Sequence, residues 1–147
     1  MNLSLVDWSI IVVAVIGLRL VSLSTKKHLK GVADFNAPGM VHRNMAAPAD
    51  QTAAESLAGM LALFQAFPDA KLVPTSVWGA GTFVVVTGRF EGTNSGPMPA
   101  MGLKTATNKP VSVRYLAITR WENGKVKEEW LFYDGMAFAK QVGMGKK

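Results

Sequence analysis

The pattern of hydrophobic and polar positions changes near residue 35, where one long apolar run gives way to shorter alternating stretches. Residues 3–23 are apolar except for serines, Asp7 and Arg19, and no polar stripe recurs at helical spacing. A helix of this length would extend about 32 Å, close to the ~30 Å hydrocarbon core of a bilayer. A basic cluster follows, which under the positive-inside rule would place the next domain on the cytoplasmic side: Lys26, Lys27, His28 and Lys30.

Three interpretations of this N-terminal segment stay open. In the first, the segment tethers the domain to the cytoplasmic membrane face. In the second, it is a buried segment that packs on the domain, and in the third it is a fusion remnant without a role. A cleaved signal peptide is disfavoured, because no Lys or Arg precedes the apolar run and no small-residue cleavage pattern follows it. The sequence therefore divides into an apolar segment, residues 1–35, and a domain, residues 40–147, joined by a Pro/Gly loop.

The domain begins with one short strand and one helix. Residues 40–45 read as a strand that carries His42. Apolar residues then recur at helical spacing within residues 46–69, where Asp50 or Thr52 supplies the N-cap and Pro68 stops the helix. These apolar residues are Leu57, Met60, Leu61 and Phe64.

The rest of the chain has the pattern of strands. The predicted strands are residues 71–78, 82–91, 111–121 and 126–133, and a long Pro/Gly-rich loop fills residues 92–110. Asn123-Gly124 predicts a tight hairpin between the last two strands, and residues 135–143 predict one or two helical turns. This order predicts an α+β fold in which one antiparallel sheet curls over one or two helices.

The faces of the last strand suggest a candidate site. Glu128, Trp130, Phe132 and Asp134 share one side, because strand residues two apart lie on the same face. The two aromatic residues predict that this side is the buried one, which would turn both carboxylates into an apolar hollow. A carboxylate in such a hollow has a raised pKa and can act as a general acid or base.

Structural interpretations of the same residues remain. Asp134 directly precedes the last helical turns and is placed to cap them. Glu128 is placed to form an ordinary ion pair with Arg114 or Arg120, and His42 alone is typical of a partly buried, hydrogen-bonded histidine.

Composition excludes several kinds of site. The chain has no cysteine, which rules out thiolate nucleophiles and cysteine-based metal centres, and its two histidines make a histidine-rich metal site improbable. Its net charge of +6 is spread along the 147 residues without an Arg/Lys stripe interleaved with aromatic residues. We therefore expect no metal site and no nucleic-acid partner.

The ordered segments of the domain resemble a known family. VHRNMAAPAD, FQAFPDAKLVP, TFVVVTGRFEGTNSGPM, NKPVSVRYLAITRWENGKVKEEWLFYD and QVG occur in this order across residues 40–143. Together they are similar to the SnoaL-like polyketide cyclases, also called ester-cyclase-like proteins, of the nuclear-transport-factor-2-like superfamily. The resemblance implies a cone-shaped α+β barrel around a pocket, often as a homodimer, and cofactor-free chemistry on a small apolar or carbonyl-containing ligand.

The resemblance also implies roles for single residues. Asp134 matches the acid/base aspartate of aldol-type cyclisation, His42 matches a pocket histidine, and Trp130 matches an aromatic residue of the wall. We take Asp134 and His42 as candidate catalytic residues, for cyclisation, isomerisation or hydrolysis, and the following as candidate substrate-binding residues: Trp130, Glu128, Phe132, Arg114 and Trp78. The alternative is a non-catalytic ligand-binding or dimerisation module of the same fold.

The N-terminal segment carries a second resemblance. Residues 3–35 look like the first membrane helix of the sodium/solute symporters, with an Asp-Trp entry and a basic exit followed by Asp-Phe. Members of the cyclase family normally begin with a helix before the first strand, and here this segment stands in its place. We therefore expect an extra apolar N-terminal helix, either in contact with a membrane or packed on the domain.

Overall fold

The computed structural model describes residues 33–144, in which a curved six-stranded sheet packs against two helices. This arrangement confirms the predicted α+β class, whereas the apolar stretch 3–23 lies outside the described residues. The elements in chain order are β1 (Asn36–Asn44), β2 (Gln51–Thr52), α1 (Ala53–Ala66), β3 (Lys71–Ala80), β4 (Phe83–Thr93), β5 (Pro110–Glu122), β6 (Lys125–Tyr133) and α2 (Gly135–Val142).

Helix α1 begins at a capping box. The Thr52 hydroxyl accepts a hydrogen bond from the Glu55 backbone N–H at 3.2 Å, and the Glu55 carboxylate accepts one from the Thr52 N–H at 2.7 Å. Each side chain thus satisfies a backbone donor that the first turn leaves free. Thr52 rather than Asp50 is therefore the cap, and the helix ends at Ala66, before Pro68.

In the described range no helix is long and apolar enough to cross a bilayer.

The hairpin between β5 and β6 forms as the sequence predicts. Asn123 and Gly124 both have positive φ, at 49° and 72°, and Glu122 pairs with Lys125 on either side of them. Positive φ at both central positions is the geometry of the turn that matches strand twist.

The sheet order is β2-β1-β6-β5-β4-β3. Strand β1 lies parallel to β6, although the two are separated by most of the domain in sequence, and the other neighbours are antiparallel. The predicted loop at residues 36–40 is instead the first part of β1, where Gly39 has φ 68° and the register to β6 is irregular.

The core lies between the helices and one face of the sheet, which we call the inner face. Phe67 after α1 contacts Phe90 of β4 and Phe138 of α2, with ring centroids 5.3 and 5.9 Å apart. Phe90 pairs with Val113 of β5, and both are buried. Alternation along the strands assigns the inner-face residues beyond these two: Val84, Val86, Gly88, Tyr115, Ala117, Thr119, Glu129, Leu131 and Tyr133.

Candidate functional site

A histidine and a carboxylate meet on the inner face, where β1 runs beside β6. His42 pairs with Glu129 in the parallel register, and its Nδ1 lies 2.8 Å from Glu129 Oε2. The histidine is only 6% exposed, whereas the Glu129 side chain is 27% exposed. A buried imidazole is therefore held by a carboxylate that is still partly accessible to solvent.

The surroundings of this pair combine a short polar strip with apolar side chains. Thr119 of β5 lies directly opposite Glu129, and its hydroxyl accepts a hydrogen bond from Trp121 Nε1 at 2.8 Å. One step further along the inner face, Ala117 and Leu131 face each other. The pair thus stands at the end of an apolar strip of the sheet.

A hydrogen bond of this kind can support proton transfer by a histidine. A neutral imidazole that donates Nδ1–H to a carboxylate presents the lone pair of Nε2 as a base. When Nε2 takes a proton, the same carboxylate stabilises the imidazolium. Histidine is the side chain that exchanges protons most readily near neutral pH.

The predicted burial of the last strand is reversed. Phe132 is 39% exposed, and Glu128 and Trp130 lie with it on the outer face, away from the helices. The helices instead cover the face of Tyr133, which packs against the core cluster. The expectation that Trp130 and Phe132 mark the buried side is therefore wrong, because both faces of β6 are apolar and the helices decide between them.

Asp134 caps helix α2. Its side chain is exposed, and Oδ1 accepts a hydrogen bond from the Ala137 backbone N–H at 2.8 Å. The expectation that this aspartate looks into an apolar hollow is wrong, and the capping interpretation is confirmed. The catalytic role that the family resemblance implies for Asp134 stays a prediction.

Glu128 belongs to an ion-pair network across the outer face. Arg120 Nε lies 2.5 Å from Glu128 Oε2, and Arg43 Nη1 lies 3.0 Å from Oε1. The hydrogen bond from Arg120, followed by that from Arg43, holds the pKa of Glu128 below its usual value. The alternative of an ion pair is thus confirmed for Arg120 and not for Arg114. Arg43 also lies over the Trp130 ring, at 5.1 Å from the centroid.

The structure divides the predicted site residues between two faces. Of the two candidate catalytic residues, His42 lies on the inner face and Asp134 at the end of β6. The candidate binding residues all lie on the outer face: Trp78, Arg114, Glu128, Trp130 and Phe132. Among residues 33–144, no group of three or more His, Cys, Asp or Glu side chains is placed to hold a metal ion.

The hydroxyl of Tyr115 is a second polar group on the inner face. Its ring crosses Gly88, where a Cβ would meet the phenol carbon and oxygen at 2.6 Å, so only glycine fits beneath it. The hydroxyl is buried and makes no hydrogen bond with the described residues. Burial raises the pKa of Tyr115 to about 12.

Glu129 was missed by the sequence-based reasoning. The sequence pattern indicates its neighbour Glu128 instead, because Glu128 shares a strand face with Trp130. The signal for Glu129 is its pairing with His42, 87 residues away, and that pairing is visible only once β1 is placed beside β6.

Comparison with known proteins identifies one family and a common fold. The model of the SnoaL-like polyketide cyclases matches residues 14–142. No curated protein matches the chain. Two structures align closely. A candidate SnoaL-like polyketide cyclase from Jannaschia sp. CCS1 is 18% identical, with a TM-score of 0.81 over 99% of each chain. AclR of Streptomyces galilaeus, described as a candidate hydroxylase, is 22% identical, with a TM-score of 0.80 over 91% of this chain and 97% of its own.

A third structure extends the comparison. IdmH of Streptomyces antibioticus, described as a candidate polyketide cyclase, is 21% identical, with a TM-score of 0.70 over 85% of this chain and 94% of its own. At these identities the likeness concerns the fold. The family match begins at residue 14, inside the apolar segment, and so includes part of the stretch that resembles a symporter helix; the symporter resemblance itself receives no support.

Proposed function

Because the chain belongs to the SnoaL-like polyketide cyclase family, we propose that it is a small-molecule enzyme that performs acid/base chemistry without a cofactor on the inner face. The observation that carries this proposal is the buried His42 with its Nδ1 2.8 Å from Glu129. Glu129 takes the orienting role, and His42 Nε2 is the base. The ligand is a small apolar or carbonyl-containing molecule, because apolar residues continue the inner face beside the pair.

The common step is removal of a proton next to a carbonyl. His42 Nε2 takes the proton, the electron pair moves into the enolate, and Glu129 stabilises the imidazolium that results. The enolate then attacks a second carbonyl in an aldol-type cyclisation, and the resulting alkoxide takes the proton back from His42. In an isomerisation, His42 instead returns the proton to another carbon of the enolate. The names of two fold neighbours, both candidate polyketide cyclases, favour the cyclisation.

Deuterium exchange tests the proton-transfer step. The probes are aromatic β-diketones and tetralones in heavy water, and NMR follows the loss of the protons next to the carbonyl. We expect His42→Gln to slow the enzymatic exchange about 10²- to 10⁴-fold, the usual contribution of a general base, and Glu129→Gln to slow it less. Glu128→Gln is the matched control, since Glu128 is next to Glu129 but points to the outer face.

Asp134→Asn separates this proposal from the role implied by the resemblance. Asparagine is also a good helix cap, so the variant keeps the fold. If exchange disappears in Asp134→Asn and persists in His42→Gln, Asp134 is the acid/base group and the His42–Glu129 proposal fails.

The second candidate is a non-catalytic ligand-binding or dimerisation module. The outer face favours it, because Trp78 and Phe83 are 55% and 40% exposed. Aromatic side chains on an open sheet face are typical of protein–protein contacts. The predicted homodimer is tested by sedimentation velocity, where Phe83→Lys is expected to shift a dimer towards monomer.

A further inference from the structure

A groove of about 640 Å³ lies on the outer face, across the sheet from the His42–Glu129 pair. We call it the outer groove. It crosses four neighbouring strands, β3 to β6, and its lining includes Thr75, Thr87, Arg89, Arg114, Leu116 and Phe132.

One end of the outer groove is cationic. Arg89 of β4 and Arg114 of β5 are direct cross-strand partners, and like charges in such a pair repel. Arg89 is stabilised by Ser112 Oγ, 2.7 Å from Nη2, and by Glu91 Oε1, 3.4 Å from Nε.

Arg114 has no such support from the described residues. It is exposed and makes no hydrogen bond or ion pair within residues 33–144. Asp134 follows at the end of β6, but its carboxylate caps α2 and forms no ion pair with Arg114 in that range. Among the described residues, Glu91 pairs with Arg89 and no carboxylate pairs with Arg114, so this end of the groove keeps a positive charge.

The middle of the outer groove is apolar. Leu116 is the cross-strand partner of Phe132, whose side chain is 39% exposed. The hydroxyls of Thr75 and Thr87 lie 3.0 Å apart and hydrogen-bond to each other. Because each hydroxyl already has a partner, the two bind a ligand less strongly than free hydroxyls would. An apolar surface thus lies directly beside two cations.

From this arrangement we propose that the outer groove binds a small organic anion with an apolar body. The acidic head pairs with Arg114 and Arg89, because guanidinium groups bind carboxylate and similar anions through two parallel hydrogen bonds. The body lies on Leu116 and Phe132. This site is separate from the inner-face pair and does not depend on the proposed enzymatic activity.

Two fluorescent probes that differ only in charge test the proposal. 8-Anilino-1-naphthalenesulfonate has the anionic head, and N-phenyl-1-naphthylamine has the same aromatic body without it. We expect Arg114→Gln and Arg89→Gln each to weaken binding of the sulfonate about tenfold, which corresponds to ~1.4 kcal/mol. Both variants are expected to leave binding of the neutral probe unchanged, whereas Phe132→Ser is expected to weaken the binding of both probes.

Lys104→Gln is the matched control, because Lys104 is an exposed cation in the loop before β5 and not in the outer groove. Equal weakening by Lys104→Gln and Arg114→Gln would mean that net charge alone attracts the sulfonate, and would overturn the proposal. Equal affinity of the wild type for the two probes, or no effect of Phe132→Ser on either, would overturn it as well. Urea unfolding of each variant establishes that the fold is intact.

Discussion

At the scale of the residue, Tyr115 gives the clearest energetic expectation. Its buried hydroxyl lacks a partner in the described chain, and an unsatisfied buried polar group costs ~1–3 kcal/mol. We therefore expect Tyr115→Phe to leave the free energy of unfolding unchanged or to raise it by about 1 kcal/mol, measured by urea titration. The matched control is Tyr133→Phe, its cross-strand neighbour. A clear loss of stability in Tyr115→Phe would show that the hydroxyl has a stabilising partner.

The same residue predicts a response to alkaline pH. Because burial raises the pKa of Tyr115 to about 12, the unfolded chain ionises first, near the ordinary value of 10.0. The stability that the neutral phenol contributes is therefore complete below pH ~10 and falls as the pH rises towards ~12. Tyr115→Phe should lose less stability than the wild type between neutral pH and pH ~11.

Single residues were predicted from the sequence to the extent that their roles are local. The break at Pro68 and the turn at Asn123-Gly124 depend on neighbours within a few positions and were predicted, and the cap of α1 was narrowed to Asp50 or Thr52, of which the structure selects Thr52. The partner of His42 was not predictable in this way. A hydrogen bond between residues 87 positions apart depends on which strands become neighbours.

At the scale of the element, two glycines should respond in opposite ways to the same substitution. Gly59 lies inside α1 with no atom within 4 Å of an added Cβ, and its φ is helical, whereas Gly124 has φ 72° in the hairpin turn. We expect Gly59→Ala to raise the free energy of unfolding by about 0.5–1 kcal/mol and Gly124→Ala to lower it by at least as much. Urea unfolding measures both, and a gain in Gly124→Ala would exclude the positive-φ turn.

The positions of the strands and helices were largely predicted, whereas the face that β6 turns towards the core was not. Alternation located β3 to β6 to within a few residues, because each is long and rich in β-branched or aromatic residues. In β6, however, Trp130 and Phe132 on one face are matched by Leu131 and Tyr133 on the other. Local hydrophobicity gives no preference between two such faces, so packing against α1 and α2 decides.

At the scale of the whole molecule, the described part of the sheet bears on the predicted role of the N-terminal segment. Val84 and Val86 are 4% and 9% exposed, yet they lie outside the core cluster that α1 and α2 form. The family match also starts at residue 14. Both observations favour the interpretation in which the apolar segment packs on the domain.

Deletion of residues 1–32 tests this interpretation. We expect the truncated chain to aggregate or to lose its cooperative unfolding transition, because loss of a packed segment exposes apolar sheet surface. Size-exclusion chromatography and urea unfolding measure the two effects. A truncated chain that is monodisperse and as stable as the full chain would favour the membrane tether, which flotation of the full chain with lipid vesicles then tests.

The parallel contact between β1 and β6 has a consequence for synthesis on the ribosome. Strand β1 is made first, but β6, its long partner, follows more than 80 residues later. Until then β1 pairs, among the described residues, only with the two-residue β2, so its edge and the His42 side chain are open to other chains. The nascent polypeptide therefore completes this sheet only after β6 has been made, and translation that stalls before residue 125 leaves an edge strand ready for aggregation.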